Sequence, residues 1–207
     1  MSPASSPRRA QSGTASRILD VAEQLVQVHG FNGFSYADVS AELGIRKASV
    51  HHHFPTKLDL AAHLIERYQR RFAGALARIE NASPDAQAAL ASYAALYGEA
   101  VRRDRLCLCG MLAAEITALP RALRTRLRGF FDENEAWLAR TLERGRKSGA
   151  LSFTGSPAAQ ARLLLSALEG AMLVARAYRD AARFEATTAM LLAGMAARQR
   201  RRGGRQR

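Results

Sequence analysis

At 207 residues, with 48% hydrophobic and 24% charged content, the chain has the composition of a folded protein with one large core or a small domain joined to a larger one. The first 17 residues, rich in Ser, Pro, Ala and Arg, lack the apolar centre of a secretory signal, and no uninterrupted apolar run approaches the roughly 18 residues that span a bilayer. A cytoplasmic protein without membrane contact is therefore expected. The two cysteines, Cys107 and Cys109, are too few and too close for a disulfide framework. The formal charge of +13 points towards nucleic acid, but six of those charges fall in residues 198–207, which hold six Arg and no acid. That tail reads as a disordered, solvated end, so net charge alone locates no DNA site.

In chain order, residues 1–15 read as a flexible start. Ile18, Val21, Ala22, Leu25 and Val28 then form one helical stripe that ends at Gly30, a residue suited to the position after a helix. Ser35 is placed to cap a second short helix, with Asp38 at the third position of a capping box and Val39 and Leu43 facing inward. Gly44 stops it. A third short helix runs from about Lys47 to His53, and Pro55-Thr56 interrupts before a long helix from about Lys57 to Glu80. Further helices are predicted from Pro84 to Arg105, over "LCLCGMLAAEI", across 121–148 up to Gly149, from the Ser156-Pro157 start to Tyr178, and over 184–197. Sustained period-2 alternation is absent from the sequence, so the fold class is all-α.

A short helix, a tight turn at "LGIRK" and a second short helix have the spacing of a helix-turn-helix. The run "FNGFSYADVSAELGIRKASVHHHFPTKLDLAAHLIERY" resembles the DNA-binding domain of TetR/AcrR transcriptional regulators, over residues 16–65. The resemblance implies an all-α homodimer: a three-helix head over residues 16–62, a larger effector-binding and dimerisation domain over 63–197, and the Arg-rich tail at 198–207. It makes Lys47, Ala48, Ser49, His51 and His52 the groove-facing surface of the recognition helix, with Val50 and Phe54 in the core. His51 stands where the family usually has Tyr. Lys47 and Ser49 are able to donate to bases or phosphates, and Ala48 to touch a thymine methyl. Ser35, Tyr36 and Lys57 are placed to clamp backbone phosphate. The histidine triplet is a poor metal site, because adjacent helical side chains diverge by about 100°. No metal or cofactor is expected.

For dimerisation, Leu164, Leu168, Ala171, Met172 and Ala175 form one apolar face, joined by Leu191, Leu192 and Met195 from the last helix. For an effector, Tyr93, Tyr97, Met111, Trp137 and Met172 are candidates to surround a mostly apolar pocket, with Glu115 and Arg176 as polar partners. Cys107 and Cys109 follow Arg102, Arg103 and Arg105, a setting that favours thiolate and hence an electrophile- or redox-responsive switch. The resemblance thus implies a non-enzymatic regulator, a repressor that binds a palindromic operator and is released by a small molecule. The mechanism implied is a population shift in the spacing of two heads, which must match major grooves roughly 34–36 Å apart. A rival is non-specific nucleic-acid binding driven by the tail. A hydrolase or metalloenzyme lacks every expected motif: no Gly-x-Ser-x-Gly, His-Glu-x-x-His or Cys-x-x-Cys occurs.

Overall fold

The computed structural model describes the backbone of residues 7–197 and the side chains from residue 13. Among the described residues there are α-helices and one short 3-10 turn, with a lone bridge between Leu151 and Ala196 as the sole extended pairing. The helices are α1 Pro7–His29, α2 Tyr36–Leu43, α3 Lys47–His53, α4 Lys57–Ala82, α5 Ala86–Arg102, α6 Leu108–Ala114, α7 Arg121–Lys147, α8 Pro157–Ala177 and α9 Ala181–Ala193. α1 begins at Pro7, so residues 7–15, expected to be flexible, are helical. Proline suits a first helical turn because its missing N–H has no partner there. The Arg-rich tail lies outside the described residues.

Two compact units form. One takes the chain through Ala75 together with Ala100–Asp132, and the other takes Leu76–Glu99 and the chain from Glu133 onward. The expected division at 62/63 differs from these units, which group α6 and the start of α7 with the N-terminal helices. In the first unit, Ile18, Ala22 and Val26 of α1, Val39 of α2, Val50 of α3 and Leu60, Ala61, Leu64 and Ile65 of α4 are fully buried. Relative to the predicted stripe, the inner face of α1 is rotated to take in Val26 and the buried Glu23. Glu23 lies in a carboxylate–guanidinium network with Arg67, at 2.8 Å, and with Arg71. Arg67 also reaches Asp20 at 2.7 Å, so α1 and α4 are pinned by charge as well as by apolar packing.

The second unit is built on Leu90, Tyr93, Trp137, Leu138, Leu142, Leu164, Leu168 and Met172, all buried. Ser156 caps α8 by accepting from the Ala159 N–H at 3.1 Å, with Pro157 at the helix start, as expected. α9 starts three residues earlier than expected, because Asp180 caps it by accepting from the Ala182 N–H. α8 is long and apolar enough in composition to cross a membrane, although its sequence is broken by polar residues. It packs against α9 with Leu164, Leu165, Leu168 and Met172 inward.

Candidate nucleic-acid interface

α3 divides cleanly into two faces. Val50 and Phe54, four residues apart, are buried, whereas Lys47, Ala48, His51 and His52, at spacings of one, three and four, are exposed. Ser49 is half-exposed beside them. These five side chains are the ones the sequence assigned to the groove, and the fold brings them to one surface. His51 lies edge-on to Tyr36, ring centres 4.7 Å apart, with Nδ1 3.4 Å from the Pro55 carbonyl. His52 and His53 contact each other edge-on. No group of three or more potential metal ligands occurs among the described residues.

The helix that crosses in front of α3 is set by local chemistry. Ser35 Oγ accepts from the Ala37 N–H, the Asp38 carboxylate accepts from the Ser35 N–H at 2.7 Å and from its hydroxyl, and the capping box is complete. Those bonds hold the Asp38 carboxyl below its ordinary range. Gly44, at φ 64°, ends α2 in the left-handed region that the tight turn requires. A second capping box starts α4: the Thr56 N–H and hydroxyl donate to Asp59 at 3.0 and 2.7 Å, and Thr56 Oγ1 accepts from the Asp59 N–H. The sequence reading missed it, although "TKLD" carries the same spacing as "SYAD".

Two expected phosphate clamps are corrected. Tyr36 is 6% exposed, and its hydroxyl donates to the carbonyls of Phe54 and Thr56, at 2.8 and 2.6 Å. It ties α2 to the α3–α4 junction. Burial and the nearby Asp59 push its pKa up to about 12. Lys57 turns inward, donating to the Phe34 carbonyl with its ammonium over the rings of Phe31 and Phe34 at 4.8 and 4.2 Å. Desolvation lowers its pKa, opposed by the negative charges of Glu115 and Asp38. Ser35 remains exposed at the end of α2, so a phosphate contact there is compatible with its capping role.

Glu115 is also corrected. It accepts from the Phe31 N–H at 2.7 Å, from the Asn32 N–H at 2.9 Å and from the Asn32 side-chain amide. The carboxylate therefore holds the α1–α2 turn and is not a free partner for an effector. Leu106 N–H adds a second tie to the Gln27 carbonyl at 3.2 Å. Gly30, at φ 84°, belongs to the same arrangement, because a Cβ there would be in hard contact with Glu115 Oε1. Cys107 and Cys109, in the same unit, are buried, and the Tyr68 hydroxyl lies 3.7 Å from Cys107 Sγ. Met111 is half-buried there.

The second unit contains a different cluster. The Tyr93 hydroxyl lies 3.1 Å from that of Tyr97 and donates to Asn134 Oδ1 at 3.1 Å, while Trp137 stacks on Tyr93 with centres 5.5 Å apart and planes 17° apart. Asn134 was not foreseen. It sits one turn before Trp137 on α7, which gave a signal only once α5 was known to face it.

The sequence model described as "Bacterial regulatory proteins, tetR family" matches residues 18–64, and that described as "Tetracyclin repressor-like, C-terminal domain" matches residues 85–191. The chain belongs to the TetR family. It is 27% identical to the HTH-type transcriptional repressor NemR of Escherichia coli K12 over 179 residues, 84% of this chain and 89% of that protein. It is 30% identical to the transcriptional regulator AcuR of Cereibacter sphaeroides over 154 residues, 71% of this chain and 69% of the relative. A TetR-family regulator from Agrobacterium tumefaciens superposes with a TM-score of 0.87 at 37% identity, covering 90% of this chain and all of that one. The protein is thus a TetR-family DNA-binding regulator with a helix-turn-helix head and a helical C-terminal domain, in a family whose members bind DNA and small molecules.

For a TetR-family chain, the expected partner face on α8 and α9 is also corrected. Leu164, Leu168, Met172, Ala175 and Met195 are at most 3% exposed and form intrachain core. Leu191, Leu192 and Arg176 are half-buried, and Ala171 lies between the two sides. The opposite side of α8 is open instead: Leu163, Leu173, Val174 and Tyr178, with Met190 of α9, are more than half exposed. Ala167, Gly170, Ala171, Val174, Arg183, Ala186 and Thr187 line a groove of about 420 Å³ between the two helices.

Proposed function

We propose that this TetR-family regulator acts in the cytoplasm as a homodimeric repressor, binds a palindromic operator through the exposed face of α3, and is released by a small-molecule effector held in the C-terminal domain. The observation that carries the reading is the two-faced α3: Val50 and Phe54 anchor it, while Lys47, Ala48, Ser49, His51 and His52 stand together on the open side. Lys and Ser supply donors to base edges and phosphates, Ala an apolar contact for a thymine methyl, and imidazole a further donor. Repression is supported by likeness to a relative named as a transcriptional repressor.

The dimer is supported by the apolar side of α8 and α9. Exposed Leu163, Leu173, Val174 and Met190 beside the small residues Ala167, Gly170 and Ala171 allow close approach of a second copy's helices. The effector site is centred on Tyr93, Tyr97, Asn134 and Trp137, where neutral polar groups converge within an apolar core. Effector binding shifts the population towards a conformation with the heads wrongly spaced for successive grooves.

Selection of bound sites from random duplex DNA at about 150 mM salt, where phosphate-only binding is suppressed, tests the reading. A palindromic consensus that the Lys47→Ala/Ser49→Ala variant no longer selects is expected. An asymmetric or absent motif sinks it.

A second reading is favoured by the Tyr68 hydroxyl beside Cys107 Sγ. In this reading the thiol of Cys107 adds across an activated C=C bond: sulfur bonds one carbon and the thiol proton ends on the other. The adduct has no room beside a buried sulfur and displaces Tyr68 of α4, the helix that follows the recognition helix. Mass spectrometry after a stoichiometric electrophile decides it, since no adduct at Cys107 or Cys109 with operator binding intact removes the idea.

A further inference from the structure

We propose that the buried Trp137 N–H is the anchoring donor of the effector site, and that the site takes a small, flat, neutral ligand bearing a hydrogen-bond acceptor. This deepens the effector-responsive reading above and rests on it. Trp137 is 3% exposed, yet its indole Nε1 has no hydrogen-bond partner. A buried donor left unmatched is unfavourable, and few occur in a folded protein without a role. The neighbours are not those of a passive core. Tyr93, Tyr97 and Asn134 are each at most 3% exposed and bring two hydroxyls and an amide to the same place. Thr141, one turn beyond Trp137, is also buried, so five buried positions on α5 and α7 carry polar atoms.

The residue types set the ligand class. All four cluster members are neutral, so an ion entering here would lose its hydration without a counter-charge. A neutral ligand avoids that cost. The unmatched group is a donor, so the ligand must present an acceptor, and indole N–H donates in the ring plane. The near-parallel Trp137 and Tyr93 rings, 17° apart, favour a flat body lying against the same apolar walls. An aromatic or conjugated carbonyl compound meets all three requirements.

The test uses two probes of nearly equal size, acetophenone and α-methylstyrene, which differ in C=O against C=CH2. Binding to the full-length protein is measured by calorimetry and by the emission of Trp137, the one tryptophan in the sequence. Acetophenone is expected to bind roughly tenfold more tightly than α-methylstyrene, the ratio appropriate to satisfying a buried donor. Trp137→Phe, which keeps an aromatic ring and removes the N–H, is expected to abolish that preference. Equal affinities for the two probes in the wild-type protein, or no acetophenone binding at about 1 mM, overturns the proposal whether or not the variant folds. A Trp137→Phe protein that retains the preference also overturns it. These failures are separable from failure of the regulator reading, because site selection on the same preparation yields or fails to yield an operator independently of either probe.

Discussion

Replacing Gly30 with Ala carries two costs that a second substitution separates. Gly30 sits at φ 84°, where a side chain costs about 1–2 kcal/mol. The new Cβ also pushes on Glu115 Oε1, an atom at the far end of a flexible side chain that would ordinarily move aside. Here it is held by the N–H groups of Phe31 and Asn32, so moving it breaks bonds to a charged acceptor. Each such bond contributes about 1.5–3 kcal/mol when shielded, and since Asn32 is exposed to water we take about 2 kcal/mol for the set. Gly30→Ala is then expected to destabilise the first unit by about 3–4 kcal/mol and Glu115→Ala by about 2 kcal/mol, while the double variant loses about 3–4 kcal/mol instead of 5–6. The coupling of about 2 kcal/mol is the signature of the contact. Urea unfolding followed by circular dichroism, with amide exchange at Phe31 and Asn32, supplies the four corners of the cycle, and Trp137 emission follows the second unit as a control. Additivity to within about 0.5 kcal/mol would refute the assignment of Glu115 as the group that holds the turn.

Tyr36→Phe is expected to cost about 1–3 kcal/mol, because the carbonyls of Phe54 and Thr56 lose their shared donor. The same bond has an alkaline signature. The Tyr36 pKa, raised in the fold to about 12 from 10.0, means that the folded state holds its proton where the unfolded chain releases it. Stability from this group is therefore complete below pH 10 and is lost as pH rises from 10 through about 12, a loss that alkaline unfolding of Tyr36→Phe would lack. Met190→Asp or Leu173→Glu is expected to convert the proposed dimer into a monomer of unchanged helicity in sedimentation. Leu168→Ala should instead lower stability by about 2–5 kcal/mol, since that side chain is core, with dimerisation lost only as the protein unfolds.

What was readable in the sequence was mostly local. Gly30, Gly44, Ser35 with Asp38, and Ser156 with Pro157 mark helix ends through bonds spanning a few residues, and the structure shows each in that role. The two faces of α3 were readable because Val50 within the short helix and Phe54 at its C-cap are the large apolar side chains there, and burying both fixes which side is open. The misassigned residues depended on distant partners. Glu115 meets Phe31 and Asn32 across more than 80 residues of chain, and Lys57 meets Phe34 across 23. A glutamate beside an apolar helix and a lysine at a helix start look solvated until their partners are placed. α8 failed for another reason: periodicity found the stripe of Leu164, Leu168, Met172 and Ala175, which is buried, but a stripe looks the same whether it packs within the chain or against a second copy. Leu164 and Leu165 proved buried and Leu163 exposed.

The most direct test of the central claim is the affinity for a selected palindromic duplex against a scrambled duplex of equal length, measured across salt for the full chain and for one ending at Ala197. Sequence-specific recognition by α3 is expected to give a preference of about 10³ or more at physiological salt, kept when the Arg-rich tail is removed. Equal binding to both duplexes, lost together with the tail, would contradict it and leave phosphate attraction as the whole of the interaction.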